Sequence, residues 1–476
     1  MDILRNIEPK EVLKYFEEIC KIPHGSGNTK EISDYVADFA KERNLEYYQD
    51  NLNNVIIVKE GTANGEAVIL QGHLDMVCEK ASDCIKDMEK EGLDLIVDGD
   101  YIKADKTTLG GDDGIAVAMM LALLDNKNIK HPGIEAVFTV DEETGMYGAT
   151  AIDLSMLKGK KMLNIDSEEE GIFTVSCAGG NVTNSIFDVE RVDFDGKAYR
   201  ITVSGLTGGH SGVEIDKRRA NANVLLSRIL MSLKDNAELR IVNINGGFKD
   251  NAITVESTAK VCVSDCDALE SLCTRMENAF KNEYASTEKN LKVTACECEY
   301  EKPMDKKSTD AVIAALGCAP NGIFEMSSEI EGLVQTSLNI GTVKTTETEF
   351  NIGFCIRSSI DTQKEMLTQR IKALTEILGG RITVNGDYPG WEYKKDSVLR
   401  DVMIEVYEKQ YGKKPKIQAI HAGLECGLFA GKIKDLDCIS FGPELLEIHT
   451  HRERMSISSV QRTWKLLLSV LERLSE

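Results

Sequence analysis

The fold is indicated most clearly by one segment, Ala67-Val68-Ile69-Leu70-Gln71-Gly72-His73-Leu74-Asp75-Met76. Its first four residues are apolar and predict a short buried strand. Similar apolar runs follow at Ile134–Val140 and Lys161–Ile165, and a helical pattern lies between them at Ile115–Leu124. Largely apolar strands that alternate with helices predict an α/β sheet covered on both faces.

This α/β pattern holds for about 180 residues and then changes. From Asn181, strands alternate more strictly between apolar and polar residues, with helices between them, which is typical of an α+β domain. The Gly- and Pro-containing stretch Asn385–Trp391 predicts a linker back to the first domain. We therefore predict one domain over residues 1–180 and 389–476, and an inserted domain over 181–388. The helices predicted along the chain are Lys10–Cys20, Thr29–Arg43, Ile115–Leu124, Ala220–Lys234, Asp267–Glu283, Ser397–Gln410 and Ser458–Leu474.

The composition is that of a globular protein with an acidic surface. A length of 476 residues favours two domains over one core, and the net charge of -22 argues against nucleic acid and anionic membrane as partners. The N-terminus lacks the apolar core of a signal peptide. The 13 cysteines include no Cys-x-x-Cys pair, which predicts free thiols in the cytoplasm. Cys296 and Cys298 could share a metal on one strand face, but packing is the favoured interpretation.

Histidine and acidic side chains recur at or just after the ends of the predicted strands, where open α/β sheets place their sites. His73 and Asp75 point the same way from an extended chain. A metal-bound imidazole usually donates its other N–H to a carboxylate, carbonyl or water. His73 is therefore a candidate ligand and Asp75 its orienter, with an ordinary hydrogen-bonded loop histidine as the alternative.

Three further segments carry candidate carboxylate ligands. Asp112 and Asp113 follow two glycines at the start of a predicted helix, where acids also serve as simple caps. Asp141-Glu142-Glu143 ends an apolar strand, and crowded carboxylates repel unless a cation or a proton compensates. One of them can bind metal while its neighbour acts as a general base. A solvated acidic turn is the alternative. Asp166 ends the strand Lys161–Ile165, and taken alone this segment, like the one around His449, is more typical of a plain loop.

A fifth segment contains two histidines, His449 and His451, which compete for the role of ligand. Together the five segments offer imidazole nitrogens and carboxylate oxygens, which suit zinc, with cobalt or manganese as alternatives. Two such ions sharing one carboxylate would activate a water molecule for hydrolysis. The chain has no Walker-type phosphate loop and no Gly-x-Ser-x-Gly nucleophile elbow.

These segments resemble those of the M20 metallopeptidases, and among them the aminoacyl-histidine dipeptidases. The resemblance covers nearly the whole chain in order and spacing. It implies a zinc-peptidase-like catalytic domain with a mixed sheet flanked by helices, and an inserted α+β lid domain. The matching segments are Gln71–Val77, Leu109–Ala116, Asp141–Gly145, Asn164–Glu169, Gly208–Gly212 and His421–Gly427.

The resemblance implies a ligand set for two Zn²⁺ ions. His73 and Asp166 would hold one ion, Glu143 and His449 would hold the other, and Asp112 would bridge them. Members of the family usually read His-Ser-Pro-Asp-Glu around the last ligand, whereas this chain reads His-Thr-His-Arg-Glu. Alignment on the glutamate keeps His449 as the ligand.

The same resemblance implies the groups that act on the substrate. Glu142 would be the general base, which takes a proton from the attacking water and passes it to the leaving amine. Asp75 would orient His73. A cis peptide bond would join Asp112 to Asp113.

In the lid, the resemblance implies that His210 would stabilise the oxyanion. Asn251 and Arg357 would bind the C-terminal carboxylate of the substrate. His421 and Glu425 would line the substrate site, although a structural role at the start of a helix is an equal alternative.

The predicted function is hydrolysis of dipeptides, Xaa-His among them, by a cytoplasmic enzyme that forms a homodimer. The alternative within the family is a tripeptidase or an N-acyl-amino-acid deacylase. The match over the full length, including Leu424–Gly427, favours the dipeptidase. A metal-free binding protein on the same scaffold is disfavoured, because Glu142 and all five ligands are present.

Overall fold

The computed structural model describes residues 3–264 and 266–476, which form two compact units. The first unit comprises Met1–Ser176, Tyr393–Ala419 and Leu424–Glu476, and the second comprises Cys177–Glu392 and Ile420–Gly423. The role of residues 181–388 as a lid stays a prediction.

The N-terminal part of the first unit alternates strands and helices. Its elements are α1 (Lys10–Ile19), α2 (Lys30–Glu42), β1 (Glu46–Gln49), β2 (Val55–Lys59), β3 (Val68–His73), β4 (Leu95–Asp98), β5 (Tyr101–Ala104), α3 (Gly111–Asp125), β6 (Ile134–Thr139), α4 (Tyr147–Ala151), β7 (Lys161–Asn164) and β8 (Ile172–Cys177).

The second unit is built mainly of long strands. Its elements are β9 (Gly179–Asp188), β10 (Lys197–Ser204), β11 (Gly209–His210), α5 (Ala222–Lys234), β12 (Leu239–Gly246), β13 (Ala252–Ile253), β14 (Ser257–Val263), α6 (Cys266–Glu283), β15 (Lys292–Glu297), α7 (Lys306–Cys318), β16 (Gly322–Met326), β17 (Val334–Thr345), β18 (Glu349–Ser358), α8 (Asp361–Ile377) and β19 (Arg381–Tyr388).

The chain then completes the first unit. The last elements are α9 (Val398–Tyr411), β20 (Lys416–Ile420), α10 (Glu425–Lys432), β21 (Asp437–Ser440), β22 (Leu445–Leu446), β23 (Arg454–Ser456) and α11 (Ile457–Leu474). All seven helices predicted from the sequence are confirmed. The helix α5 begins two residues later than predicted, after Asn221, whose side chain accepts hydrogen bonds from the N–H groups of Asn223 and Val224 and so caps the helix.

The first unit is organised around a mixed sheet with the strand order β1-β2-β6-β3-β7-β21-β8-β20. At its centre, β3 pairs in parallel with β6 and β7, and β7 pairs in parallel with β21. All six residues of β3 are buried, as expected for a strand with neighbours on both sides and helices on its faces. The carboxyl ends of these four parallel strands therefore meet at one edge of the sheet.

The second unit carries an antiparallel sheet with the order β15-β10-β14-β12-β17-β18-β9-β19, which β16 joins by pairing with β17. The linker predicted at Asn385–Trp391 is wrong over its first part, because β19 continues to Tyr388. A bulge between Asn385 and Tyr388 absorbs Gly386, whose φ of 57° suits glycine. The Gly-containing stretch thus marks an irregular edge strand as well as a chain return.

The described cysteines are all free thiols. Cys298 packs against a small cluster of Ala198, Val242 and Cys262, as the packing interpretation predicts, whereas Cys296 is exposed. Within the described residues, no helix combines the length and the apolarity that crossing a membrane requires.

Candidate metal centre

His73 is the last residue of β3, and its side chain is almost fully buried. Its Nδ1 lies 2.9 Å from the carbonyl oxygen of Asp75. A carbonyl oxygen only accepts, so Nδ1 carries the proton and Nε2 presents its lone pair. Nε2 lies 3.3 Å from Asp112 Oδ1 and 3.8 Å from Asp166 Oδ1. His73 is therefore held in the tautomer that can ligate a cation between these carboxylates.

The carboxylate of Asp75 ties the end of β3 to the acidic segment after β6. It accepts hydrogen bonds from the Ser26 hydroxyl at 2.8 Å and from the backbone N–H groups of Glu142 at 3.1 Å and Glu143 at 3.4 Å. Its Oδ1 also lies 3.5 Å from His73 Nδ1. The carbonyl of Asp75 is thus closer to the imidazole than its carboxylate is, and the carboxylate mainly fixes the neighbouring loop.

Asp112 lies between the two predicted ligand histidines. Its Oδ1 faces His73 Nε2 at 3.3 Å, and its Oδ2 faces His449 Nε2 at 3.3 Å. Burial opposes ionisation, but hydrogen bonds with His449 and His73 outweigh it and lower the pKa of Asp112. The cis peptide bond expected between Asp112 and Asp113 is present. One carboxylate with one oxygen towards each imidazole is the arrangement that a bridging ligand requires.

His449 contacts both Glu143 and Asp112. Its Nε2 lies 2.8 Å from Glu143 Oε1, and hydrogen bonds with these two acids raise the pKa of His449 to about 10. The backbone of His449 is left-handed, with a φ of 58°. His451 is exposed and lies near the carboxylate of Asp83. The geometry therefore favours His449 over its rival.

The remaining acids of the centre crowd around these contacts. Burial raises the pKa of Glu142 to about 7, although His73 opposes the shift. Burial, and then the neighbouring Asp113, raise the pKa of Asp166. The groups whose potential ligand atoms lie within 4.8 Å of one another are His73 with Asp113 and Asp166, His73 with Glu142 and Glu143, and Asp112 with Glu143 and His449. Carboxylates as close together as these are stable in their ionised form only beside cations, and the nitrogen and oxygen donors of these side chains suit zinc.

In the second unit, His210 is held as a neutral hydrogen-bond donor. Its Nδ1 accepts from the backbone N–H groups of Gly212 at 3.1 Å and Val213 at 3.2 Å, so the ring proton resides on Nε2. Burial, and then the charge of Arg357, lower the pKa of His210. A neutral imidazole with a free Nε2–H is the form that can stabilise a developing oxyanion.

Arg357 and His421 lie near His210 in the same unit. Arg357 is only 8% exposed, and its Nη1 donates to the hydroxyl of Tyr388 at 3.2 Å. Among the described residues no carboxylate pairs with this guanidinium, and its Nε has no partner. His421 Nε2 lies 2.7 Å from the Ser337 hydroxyl, and burial, followed by the charge of Arg357, lowers the pKa of His421 to about 3. Because a buried charge is costly without a partner of opposite charge, the guanidinium of Arg357 favours the binding of an anion.

Asn251 and Glu425 are the other two residues predicted to bind the substrate, and they belong to different units. Asn251 lies beside His210, since its carbonyl oxygen accepts from the N–H of Ser211 at 2.9 Å. Glu425 belongs to the first unit and is fully buried, with its Oε2 bonded to Gln71 and Thr139. The substrate-binding roles of both residues stay predictions.

Comparison with known proteins identifies the family. The model of peptidase family M20/M25/M40 matches residues 69–473. This chain belongs to that family. It is 37% identical over 482 residues to the cytosol non-specific dipeptidase of Escherichia coli, covering 100% of this chain and 99% of the relative.

Solved structures agree with this assignment. The aminoacylhistidine dipeptidase of Vibrio alginolyticus superposes with a TM-score of 0.94 at 36% identity, covering 99% of this chain and 98% of that one. The aminopeptidase PepT of Bacillus cereus, at 17% identity, shares the fold with a TM-score of 0.58, covering 99% of this chain and 100% of that one. The M20 resemblance and the α/β fold class predicted from the sequence are confirmed.

Two supporting residues of this M20 peptidase escaped the sequence interpretation. Glu453 is buried and accepts from the N–H groups of Leu109 at 2.7 Å, Gly110 at 3.1 Å and Gly111 at 2.8 Å, so it caps the helix that carries Asp112. Ser26 anchors Asp75, as described above. Only the alignment around His449 drew attention to Glu453, and no local signal marked Ser26.

The sequence presents Asp113, together with Asp112, as a candidate carboxylate ligand or a helix cap. In the structure it is 1% exposed, and its Oδ2 accepts from the N–H of His73 at 3.2 Å. A Cβ on Gly72 would meet Asp113 Oδ2 at 2.5 Å, which explains the glycine before His73. Asp113 therefore holds the backbone of the candidate ligand His73 in place.

A cavity of about 660 Å³ opens beside the metal centre within the first unit. Its lining includes Glu143, Thr144, Met76, Met88 and Ser26. The volume falls in the range of small-molecule sites, and the flexible methionines can adapt to different shapes.

Proposed function

We propose that this M20 peptidase is a two-metal dipeptidase that hydrolyses small dipeptides, Xaa-His among them, with Glu142 as the general base. The observation that carries the proposal is the position of Asp112, whose two carboxylate oxygens face His73 and His449 at 3.3 Å each. The names of its relatives in Escherichia coli and Vibrio alginolyticus, a non-specific and an aminoacylhistidine dipeptidase, support the choice of substrate class.

The proposed ligands divide between two ions. His73 and Asp166 would hold one, Glu143 and His449 the other, and Asp112 both. The ions, Zn²⁺ by the chemistry of the donors, would lower the pKa of a water molecule and stabilise negative charge on the carbonyl oxygen of the substrate.

Glu142 would accept the proton of the attacking water and then donate it to the leaving amine. Its carboxyl is mostly shielded from solvent, and its pKa of about 7 places it where a group can take and return a proton near neutral pH. The N–H of Glu142 is fixed by Asp75 Oδ1 at 3.1 Å, which holds the backbone of the base in one position.

Two residues of the second unit would serve the substrate. His210 would donate its Nε2–H to the oxyanion, a role that the hydrogen bonds to its Nδ1 support. Arg357 would bind the C-terminal carboxylate, because a buried guanidinium without an acidic partner gains most from an anion. Asn251 would assist Arg357.

The cellular location and the oligomeric state of the enzyme are also proposals. We place it in the cytoplasm, in keeping with the name of its Escherichia coli relative and the free thiols. A homodimer is expected from the family resemblance, and light scattering of the purified protein would measure it.

The proposed function is tested with a panel of substrates: β-Ala-His, Gly-His, Ala-Ala, a tripeptide and an N-acetyl amino acid. The proposal predicts rapid cleavage of the three dipeptides and loss of this activity after treatment with a chelator. Rapid cleavage of the acetyl compound or the tripeptide alone would overturn it in favour of a deacylase or a tripeptidase.

A further inference from the structure

A buried chain of polar side chains crosses the carboxyl edge of the central sheet of the first unit. Glu425, the first residue of α10, is fully buried, and its Oε2 accepts from Gln71 Nε2 at 2.6 Å and from Thr139 Oγ1 at 2.7 Å. Gln71 Oε1 in turn accepts from Asn164 Nδ2 at 2.6 Å. Thr139, Gln71 and Asn164 belong, in this order, to the adjacent strands β6, β3 and β7. One carboxyl group therefore links three strands.

Each partner lies just before a residue of the metal centre. Gln71 precedes His73 by two residues, and Asn164 precedes Asp166 by two. Thr139 precedes Glu142 by three residues, and it stands opposite His73 in the register of β3 and β6. Gln71 stands opposite Asn164 in the register of β3 and β7. A displacement of these polar side chains would therefore reach a candidate ligand, or the proposed base Glu142, through only two or three residues of backbone.

The geometry of Glu425 argues against a direct contact with substrate. The side chain is 0% exposed, and both bonds to Oε2 come from neutral donors of the sheet. Its Oε1 and the Oδ1 of Asn164 are buried without a hydrogen-bond partner among the described residues. Burial, the main cause, raises the pKa of Glu425 to about 8. Burial of a carboxyl group is costly, and hydrogen-bonded polar groups in the interior make the structure around them rigid.

We infer that Glu425 is a positioning residue, which sets the spacing of the strand ends that carry His73, Glu142 and Asp166 through its bonds to Gln71 and Thr139. The inference rests on the proposed metal centre. It gives Glu425 a role through other residues and not through contact with the substrate or an ion.

The test compares Glu425→Ala and Glu425→Gln with the wild-type protein. Each is loaded with Co²⁺, and the visible absorption spectrum, the Co²⁺ affinity, kcat and KM are measured. The glutamine keeps an oxygen for both donors, so its spectrum and affinity should stay close to those of the wild type. The alanine should shift the spectrum, weaken Co²⁺ binding by about 10- to 100-fold, and lower kcat with little change in KM.

Asp437→Ala is the matched control. Asp437 is a buried acid of β21 in the same sheet, and it accepts from the Ser397 hydroxyl at 2.5 Å and from the N–H of Leu399 at 3.0 Å. Its loss should lower the unfolding temperature but leave the Co²⁺ spectrum unchanged. If Glu425→Ala does not fold, Gln71→Met, which is similar in volume, breaks the same chain and should give the same shift.

The two proposals fail in different ways. If the wild type binds Co²⁺ and cleaves dipeptides while Glu425→Ala or Gln71→Met matches it in spectrum and affinity, the inference about Glu425 is overturned and the function stands. If Asp437→Ala shifts the spectrum as strongly as Glu425→Ala, the effect reflects general loosening, and the inference is also overturned. A wild type that binds no Co²⁺ would overturn the proposed function itself.

Discussion

Replacement of Asp75 by alanine should weaken both the metal centre and the first unit. The carboxylate is 1% exposed and accepts two close hydrogen bonds, from the Ser26 hydroxyl at 2.8 Å and from the N–H of Glu142 at 3.1 Å. A hydrogen bond to a charged group contributes about 1.5–3 kcal/mol, so the loss of two should lower the free energy of unfolding by about 3–6 kcal/mol. The loop that carries Glu142 and Glu143 would lose its anchor.

The effect on metal binding follows from the same contacts. Groups that orient metal ligands typically account for about 10- to 100-fold in affinity, and Asp75 holds the backbone of Glu143 and lies against His73. The assay pairs urea unfolding of the metal-free protein with a competition titration of Zn²⁺ against a chromophoric chelator. Ser26→Ala is the matched control, because it removes one of the two close bonds and should cost about 1.5–3 kcal/mol. An Asp75→Ala protein with wild-type stability and Zn²⁺ affinity would refute the reasoning.

Three further outcomes are expected. Glu142→Ala should keep both metal ions in elemental analysis while kcat falls by about 10²- to 10⁴-fold, and an unchanged kcat would exclude Glu142 as the base. Arg357→Met should raise KM for Ala-Ala but not for Ala-Ala amide, which lacks the carboxylate; an equal rise for both would contradict carboxylate binding. His421 has a pKa of about 3 in the folded protein against 6.5 as its ordinary value, so the unfolded state binds more protons between these values, and stability is lost as pH falls from 6.5 towards 3. The loss from this group should reach about 2 kcal/mol at pH 5, and unfolding of His421→Gln measured at pH 7 and pH 5 should lack that increment.

The sequence was informative where a ligand and its structural cause lie close together in the chain. His73 is the last residue of the buried strand β3, which the apolar run before it predicts. The acidic run after β6 was recognisable because three adjacent carboxylates at a buried strand end need compensation. Local patterns of this kind predicted the helices and the α/β sheet.

The sequence was silent where a contact depends on the tertiary register. Glu425 is 354 residues from Gln71, and Ser26 is 49 residues from Asp75, so no periodicity connects them. The choice between His449 and His451 also depends on the contacts of His449 with Asp112 and Glu143, which a two-residue spacing does not reveal. At Asn385, glycine and asparagine predicted a linker, whereas the edge strand absorbed them in a bulge.

The central claim is that Asp112 bridges two ions, one on the His73 side and one on the His449 side. Metal stoichiometry of the wild type, His449→Ala and Asp112→Ala, measured by elemental analysis after equilibration with Zn²⁺ and gel filtration, tests it most directly. If Asp112 bridges the ions, we expect about two equivalents for the wild type, about one for His449→Ala and markedly fewer than one for Asp112→Ala. Two equivalents retained by Asp112→Ala, or at most one bound by the wild type, would contradict it.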